Sequence, residues 1–406
     1  MNLKLIGGIL LIVGTSIGGG MLALPISAAP GGFISSSILL IGCWLVMTFS
    51  AFLILEVNLR FPAGSNFISM AQGTLGKAGA WFAWLIYLLL FYCLLAVYSY
   101  GGADMLRHTI ETVLNVESPK ALNTILYISI LGFFVYWGVQ SVDYLNRVFM
   151  ITKFVAFFIL LACIATYVDP LKLIGEQPLL LVASLTIMIT AFGYASIIPS
   201  LRTYFDGDVV KLRTAILIGS LIPLLVYIIW NLVILGVVPR DGQHGLAPML
   251  TSGTSTTDLP TALSHHLNNN LITVLARIFG AMAIATSFLG VALATSDFLA
   301  DGLKTPKMGK GKLIVLGATF IPPLAMSILY PNAFIQGLKF AGICCTILLI
   351  IYPALMAWRS RYNMGTTPKG YQVMGGKTAL IITLFIGIAV TAIGWIQDVQ
   401  GIKLFG

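Results

Sequence analysis

Long apolar stretches alternate with short polar ones along the whole chain. A helix that crosses a bilayer needs roughly 20 mostly apolar residues. Eleven runs meet that length, at about 5–29, 33–60, 80–107, 121–141, 146–168, 178–201, 211–238, 270–302, 312–330, 333–358 and 377–397. The ninth and tenth are divided at Pro331-Asn332. None alternates polar and apolar positions in segments of about ten residues, as a transmembrane β-barrel would. The pattern predicts an all-α membrane protein, with residues 1–406 as a single transmembrane domain. The longest outer connection, about 239–270, contains TSGTSTTD and then Asp258-Leu259-Pro260. A capping residue followed closely by proline predicts a short surface helix there.

Composition agrees with that pattern. Hydrophobic residues make up 58% of the chain and charged residues 9%, against about 25% charged in a soluble domain. The net charge of +9 suits nucleic acid only superficially, because the basic residues lie in short patches between apolar runs. Such patches set orientation in a membrane. With the N-terminus inside, sixteen Lys and Arg fall in inner segments and five in outer ones. The N-terminus is therefore expected on the cytoplasmic side and the C-terminus outside. The run after Lys4, ending near Ser27-Ala28-Ala29, has some features of a signal peptide but reads better as an uncleaved first span. Cys43, Cys93, Cys163, Cys344 and Cys345 all lie in apolar runs without metal-ligand spacing, and read as small buried hydrophobes. No metal site or disulfide framework is expected.

Two runs contain residues that a helix interior rejects. GTSIGGGMLALP, residues 14–25, lies in span one, and TAFGYASIIPS, residues 190–200, lies in span six. Glycine and proline are the poorest residues for a helix interior. Taken alone, Gly14 to Gly18 is also a GxxxG, a small-residue contact for helix packing. The pairing adds a second meaning. Five spans separate the breaks, and five is odd, so the second set of five crosses in the opposite sense. Matched interruptions in inverted halves point to the binding site of a secondary transporter. Unwound backbone survives at membrane depth only where protein buries it or where it lines a watery cavity. A half-helix N-terminus suits a carboxylate, and freed carbonyls suit an ammonium. An amino acid carries both. Thr15, Ser16, Ile17, Gly18, Gly19 and Gly20 at the first break, and Phe192, Gly193 and Tyr194 at the second, are the candidate substrate contacts.

These motifs, with Leu55-Glu56-Val57, the stretch Ala285-Thr286-Ser287-Phe288-Leu289-Gly290-Val291-Ala292 and Asp297-Phe298-Leu299-Ala300-Asp301, resemble those of the hydroxy and aromatic amino acid permeases. That family belongs to the amino acid–polyamine–organocation superfamily, and the resemblance covers nearly the whole chain. It implies a LeuT-like fold of five plus five inverted spans with discontinuous helices 1 and 6. The repeats would cover about 5–168 and 178–358, with an extra helix at about 377–397. It implies a multi-pass protein of the bacterial inner membrane that imports aromatic amino acids by proton symport. Tyrosine is favoured, and a tryptophan or serine/threonine permease is the alternative. Its partners would be the amino acid, protons and the lipid bilayer, with no cofactor and no obligate protein partner. One position departs: the family often carries a histidine directly after the aromatic residue of the second break, and here that residue is Ala195. His108, His244, His265 and His266 all fall in predicted outer segments.

Charged groups at membrane depth are costly and tend to be functional or to snorkel. Arg277 and Lys339 lie near outer span ends and are expected to snorkel, and Asp104 is expected to be solvated. Asp297, near Lys304, could act as an orientation or gating charge. Glu56 precedes Arg60 by four residues, so an ion pair on one helix face stands beside a functional role. Lys153 lies about seven residues into span five, roughly 10 Å deep at the helical rise. That is deep for snorkelling. Lys153 and Glu56 are the candidate proton carriers. Relatives in the superfamily that work without sodium place a span-five lysine where others bind the ion, which puts Thr286 and Ser287 beside Lys153. Both hydroxyls could equally bond their own helix backbone. Tyr92 on span three is a candidate partner for the substrate, with Tyr98 on the same span, and Phe192 suits a gate. No HExxH, in-span histidine or paired acids support an enzyme, and no ring of charges supports a channel.

Overall fold

The computed structural model describes residues 3–175, 177–250, 255–305, 309–330, 334–364 and 370–399. Its helices are α1 (Leu3–Ser16), α2 (Gly20–Ala28), α3 (Gly32–Leu59), α4 (Phe67–Leu114), α5 (Lys120–Trp137), α6 (Val139–Ala165), α7 (Leu185–Ala191), α8 (Ile198–Tyr204), α9 (Val209–Val237), α10 (Leu246–Met249), α11 (Ser255–Leu267), α12 (Asn270–Gly302), α13 (Gly309–Leu329), α14 (Phe334–Thr346), α15 (Tyr352–Tyr362) and α16 (Gly376–Val399). There is no β-strand among the described residues. Ten helical segments among them are long and apolar enough to cross a membrane. The expected first span is divided: Leu3–Ser16 is a shorter apolar helix, and Gly20–Leu59 runs on through a 3₁₀ turn at Ala29–Gly31. The expected division at Pro331-Asn332 lies outside the described residues.

Sidedness within each helix separates core from bilayer. On α3, Ile34, Ile38, Ile41 and Leu45 are exposed, while Leu40, Met47, Ala51 and Ile54 are buried. Both sets are apolar, because lipid on one face and protein on the other ask for the same chemistry. Helix starts carry the polar signals. Asn66, Asp208 and Asn269 each accept a backbone N–H from the first turn of α4, α9 and α12. A cap of this kind stabilises a helix by about 1 kcal/mol. Helix α4 is two helices that meet at Gly76, whose φ is +80°: a short one from Phe67 precedes the long one, which resumes close to the expected residue 80. The surface helix expected near Asp258 is α11.

Packing between helices is dense and reciprocal. α6 lies along α12, and α14 lies along α4. α1 and α2 pack on α9, while α7 and α8 pack on α3. α4 meets α5 and α13, and α12 meets the same two helices. These contacts enclose the two breaks between α3, α6, α9 and α12.

Candidate functional site

The helical ladder stops where the glycines begin. Ile17 N–H still reaches Val13 O at 2.9 Å, but the chain then leaves the helix until Gly20. It restarts through shorter i to i+3 bonds, from Met21 N–H to Gly18 O at 3.1 Å and from Leu22 N–H to Gly19 O at 3.2 Å. The second break follows α7 at Phe192. Residues Gly193–Ile197 wind as a 3₁₀ segment before α8. The breaks sit side by side and run in opposite directions: α1 touches the 3₁₀ segment, and α2 touches α7. At the far end of α1, Lys4 Nζ pairs with Asp206 at 2.5 Å. The two interrupted helices are therefore antiparallel neighbours.

Side chains from three other helices occupy the freed backbone groups. Tyr227 of α9 donates its hydroxyl to Ser16 O at 2.5 Å and lies 3.0 Å from Ala191 O, so one hydroxyl joins the two half-helix ends. Lys153 of α6 donates Nζ to Ile17 O at 2.7 Å and lies 3.4 Å from Thr286 Oγ1. Its side chain is 0% exposed. Ser287 of α12 accepts Gly19 N–H at 2.9 Å. Close approach explains the small residues. A β-carbon at Gly18 would stand 2.3 Å from Ser287 Oγ, and one at Gly19 would stand 2.9 Å from the Tyr98 ring. Gly20 differs, because a β-carbon there would meet nothing within 4 Å, and one at Gly193 would only touch Cys345 Sγ at 4.0 Å.

The expected site residues separate into those brought to the break and those drawn elsewhere. Ser16, Ile17, Gly18, Gly19, Lys153, Thr286 and Ser287 come together. Thr15 is exposed and bonds Leu11 O within its own helix. Tyr92 is also drawn away, with its hydroxyl on Ala318 O of α13 at 2.8 Å. Six residues place Tyr92 and Tyr98 about 120° apart around one helix, and Tyr98 is the one that reaches Gly19. Phe192 is fully buried, edge-to-face with Tyr227 at 5.5 Å. Tyr194 turns into a polar cluster, its hydroxyl 2.9 Å from Thr48 Oγ1. Glu56 lies in a different constellation. It is 0% exposed and accepts from Arg60 at 2.9 Å, from Arg361 Nε at 2.7 Å and Arg361 Nη2, and from Val373 N–H at 2.8 Å. Asp104 is not solvated as expected: α11 covers it, and Thr257 and Thr256 donate hydroxyls to it at 2.9 and 3.2 Å.

Two residues of α9 had no sequence signal. Tyr227 is one. Asn231 is the other: it is 0% exposed, and neither atom of its carboxamide has a hydrogen-bond partner. Four residues after Tyr227, it lies one turn further along the same helix face. A buried carboxamide without partners costs free energy unless something meets it. Tyr227→Phe removes the shared donor while keeping the ring. It is expected to destabilise the protein by about 1–3 kcal/mol, measured as thermal unfolding in detergent. A midpoint equal to wild type contradicts the bridging role.

Comparison with known proteins places this geometry in context. Residues 1–394 match the sequence model of the tryptophan/tyrosine permease family. The chain is 34% identical over 396 residues to the tyrosine-specific transport system 2 of Haemophilus influenzae, covering 96% of each protein. It is 33% identical over 393 residues to the tyrosine-specific transport system 1 of the same organism, again covering 96% of each. The tryptophan-specific transport protein of Pseudomonas aeruginosa is 30% identical over 397 residues, covering 95% of this chain and 93% of that one.

Proposed function

The chain belongs to the tryptophan/tyrosine permease family, and from that premise we propose that it imports an aromatic amino acid with protons by alternating access. Tyrosine is the favoured substrate, and tryptophan is the second reading because a tryptophan-specific relative covers the chain almost as fully. The observation that carries the reading is the pair of antiparallel helix breaks whose carbonyls, Ser16 O and Ala191 O, share one tyrosine hydroxyl. The N-terminus of α2, which begins at Gly20, takes the carboxylate through its partial positive charge. Break carbonyls take the ammonium, and Asn231 supplies a hydrogen bond to the zwitterion. Lys153 holds the carbonyl of Ile17, so a change in its protonation alters the backbone that grips the substrate.

Eleven spans follow when α1 and α2 are counted as one interrupted crossing. Support for a LeuT-like five-plus-five architecture comes from the reciprocal packing. Span five lies on eight as ten lies on three, and span one lies on seven as six lies on two. Each pairing turns into the other when five is added or subtracted. The excess of Lys and Arg supports a cytoplasmic N-terminus in the inner membrane, with the C-terminus outside.

The test is uptake of labelled tyrosine into proteoliposomes with an imposed proton gradient, with tryptophan, phenylalanine, serine and threonine as competitors. Accumulation that collapses with a protonophore and yields only to aromatic competitors is expected. Accumulation unaffected by the protonophore overturns the coupling, and competition by serine or threonine overturns the substrate class.

A further inference from the structure

A cavity of about 960 Å³ opens where α4 begins and reaches Ser200 on α8 and Ser196 at the end of the second break. It is far larger than a single bound amino acid requires. One wall is a connected set of aromatic rings. Trp84 stacks on Phe298 with centroids 5.3 Å apart and planes 21° apart. Phe298 also meets Tyr87 at 6.0 Å and Phe91 edge-on at 5.5 Å. Trp81, mostly exposed, fits an anchor at the membrane interface. Trp84, Phe91 and Phe298 do not, because they are half-buried and line the cavity. Lys77, Asp301 and Lys304 line the same cavity with exposed side chains. Among the described residues none of these three side chains is engaged in an ion pair.

Resting on the reading of the chain as a carrier of aromatic amino acids, we infer that this vestibule is a second station for the same class of ligand, separate from the breaks. The aromatic ring lies against Trp84 and Phe298, the carboxylate faces Lys77 and Lys304, and the ammonium faces Asp301. Stacking selects an aromatic over an aliphatic amino acid. The charges that orient it are solvated, so they contribute weakly and are screened by salt. The station is therefore the weaker of the two, and it receives the ligand as the break site releases it.

Equilibrium binding of labelled L-tryptophan and L-tyrosine to the full chain in nanodiscs tests this. Two equivalents per chain are expected, the second weaker and not displaced by L-leucine. Phe298→Leu keeps an apolar side chain and is expected to weaken the second equivalent about tenfold, leaving the first unchanged. Lys304→Glu alters an exposed side chain and does not threaten folding. It is expected to weaken the same equivalent and to reverse its dependence on salt. A single equivalent in the wild type overturns the vestibule station while leaving the transport reading intact. So do two equivalents that neither substitution affects. Absence of any aromatic amino acid binding or uptake overturns both.

Discussion

Lys153→Met is expected to bring the accumulation ratio of labelled tyrosine to unity, whatever proton gradient is imposed. Methionine keeps much of the side-chain volume in a fully buried position, so the change removes the amine rather than opening a cavity. What is lost is the bond from Nζ to Ile17 O at 2.7 Å, at the last residue before the glycines. Hydrogen bonds from charged groups contribute about 1.5–3 kcal/mol, or roughly one to two orders of magnitude in any equilibrium they bias. Both polar neighbours of Nζ are neutral oxygens, and no carboxylate pairs with it among the described residues. A buried ammonium without a counter-charge is poorly compensated, which is the ground for proposing Lys153 as the proton carrier. Lys153→Arg separates charge from titration. A guanidinium does not release its proton in proteins, so this variant is also expected to lose accumulation despite keeping the charge. Exchange of internal for external tyrosine needs no net proton movement and is expected to persist in the methionine variant. Wild-type accumulation in either variant contradicts the assignment.

The place of Lys153 was legible from its depth in an apolar run, and the two breaks were legible because glycine and proline mark where a helix fails. Tyr227, which joins the two breaks, was not, and neither was Asn231. Tyr227 and Asn231 lie in an apolar run and carry no motif, and their roles depend on which face of α9 meets the breaks. In a bilayer that face is hard to read, because the lipid side of a helix is as apolar as the protein side. Tyr92 and Tyr98 show the same difficulty. Both were visible on span three, but only rotation about the helix axis decides which of them reaches Gly19. Asp104 was misplaced for a different reason. Its cover is α11, a surface helix whose docking on α4 and α12 no local pattern encodes. The short helix that precedes the expected span at 80 was not read, because Gly73 and Gly76 dilute it and make it look like a loop.

Glu56→Gln is expected to lower stability by about 3–5 kcal/mol, the cost of leaving a buried charge without its partner. The carboxylate joins Arg60 on its own helix to Arg361 at the end of α15 and to the backbone at Val373. Arg361 is only 3% exposed, so losing the negative charge strands a buried guanidinium. Arg60 also donates to Ser360 Oγ at 2.8 Å, which ties α3 to α15 a second time. The sequence left a local ion pair and a proton-carrying role open for Glu56, and two measurements divide them. As a clamp, Glu56→Gln lowers the thermal midpoint in detergent, while the protein that remains folded accumulates tyrosine to the wild-type ratio. A carrier of protons would show the reverse, with near-normal stability and lost accumulation. Replacing both Glu56 and Arg361 by methionine is expected to recover much of the lost stability, since an apolar pair of similar volume often equals a buried ion pair. Recovery of the midpoint with accumulation intact leaves Lys153 as the remaining candidate carrier. Failure of accumulation in that double variant, with the midpoint restored, places Glu56 in the transport cycle instead.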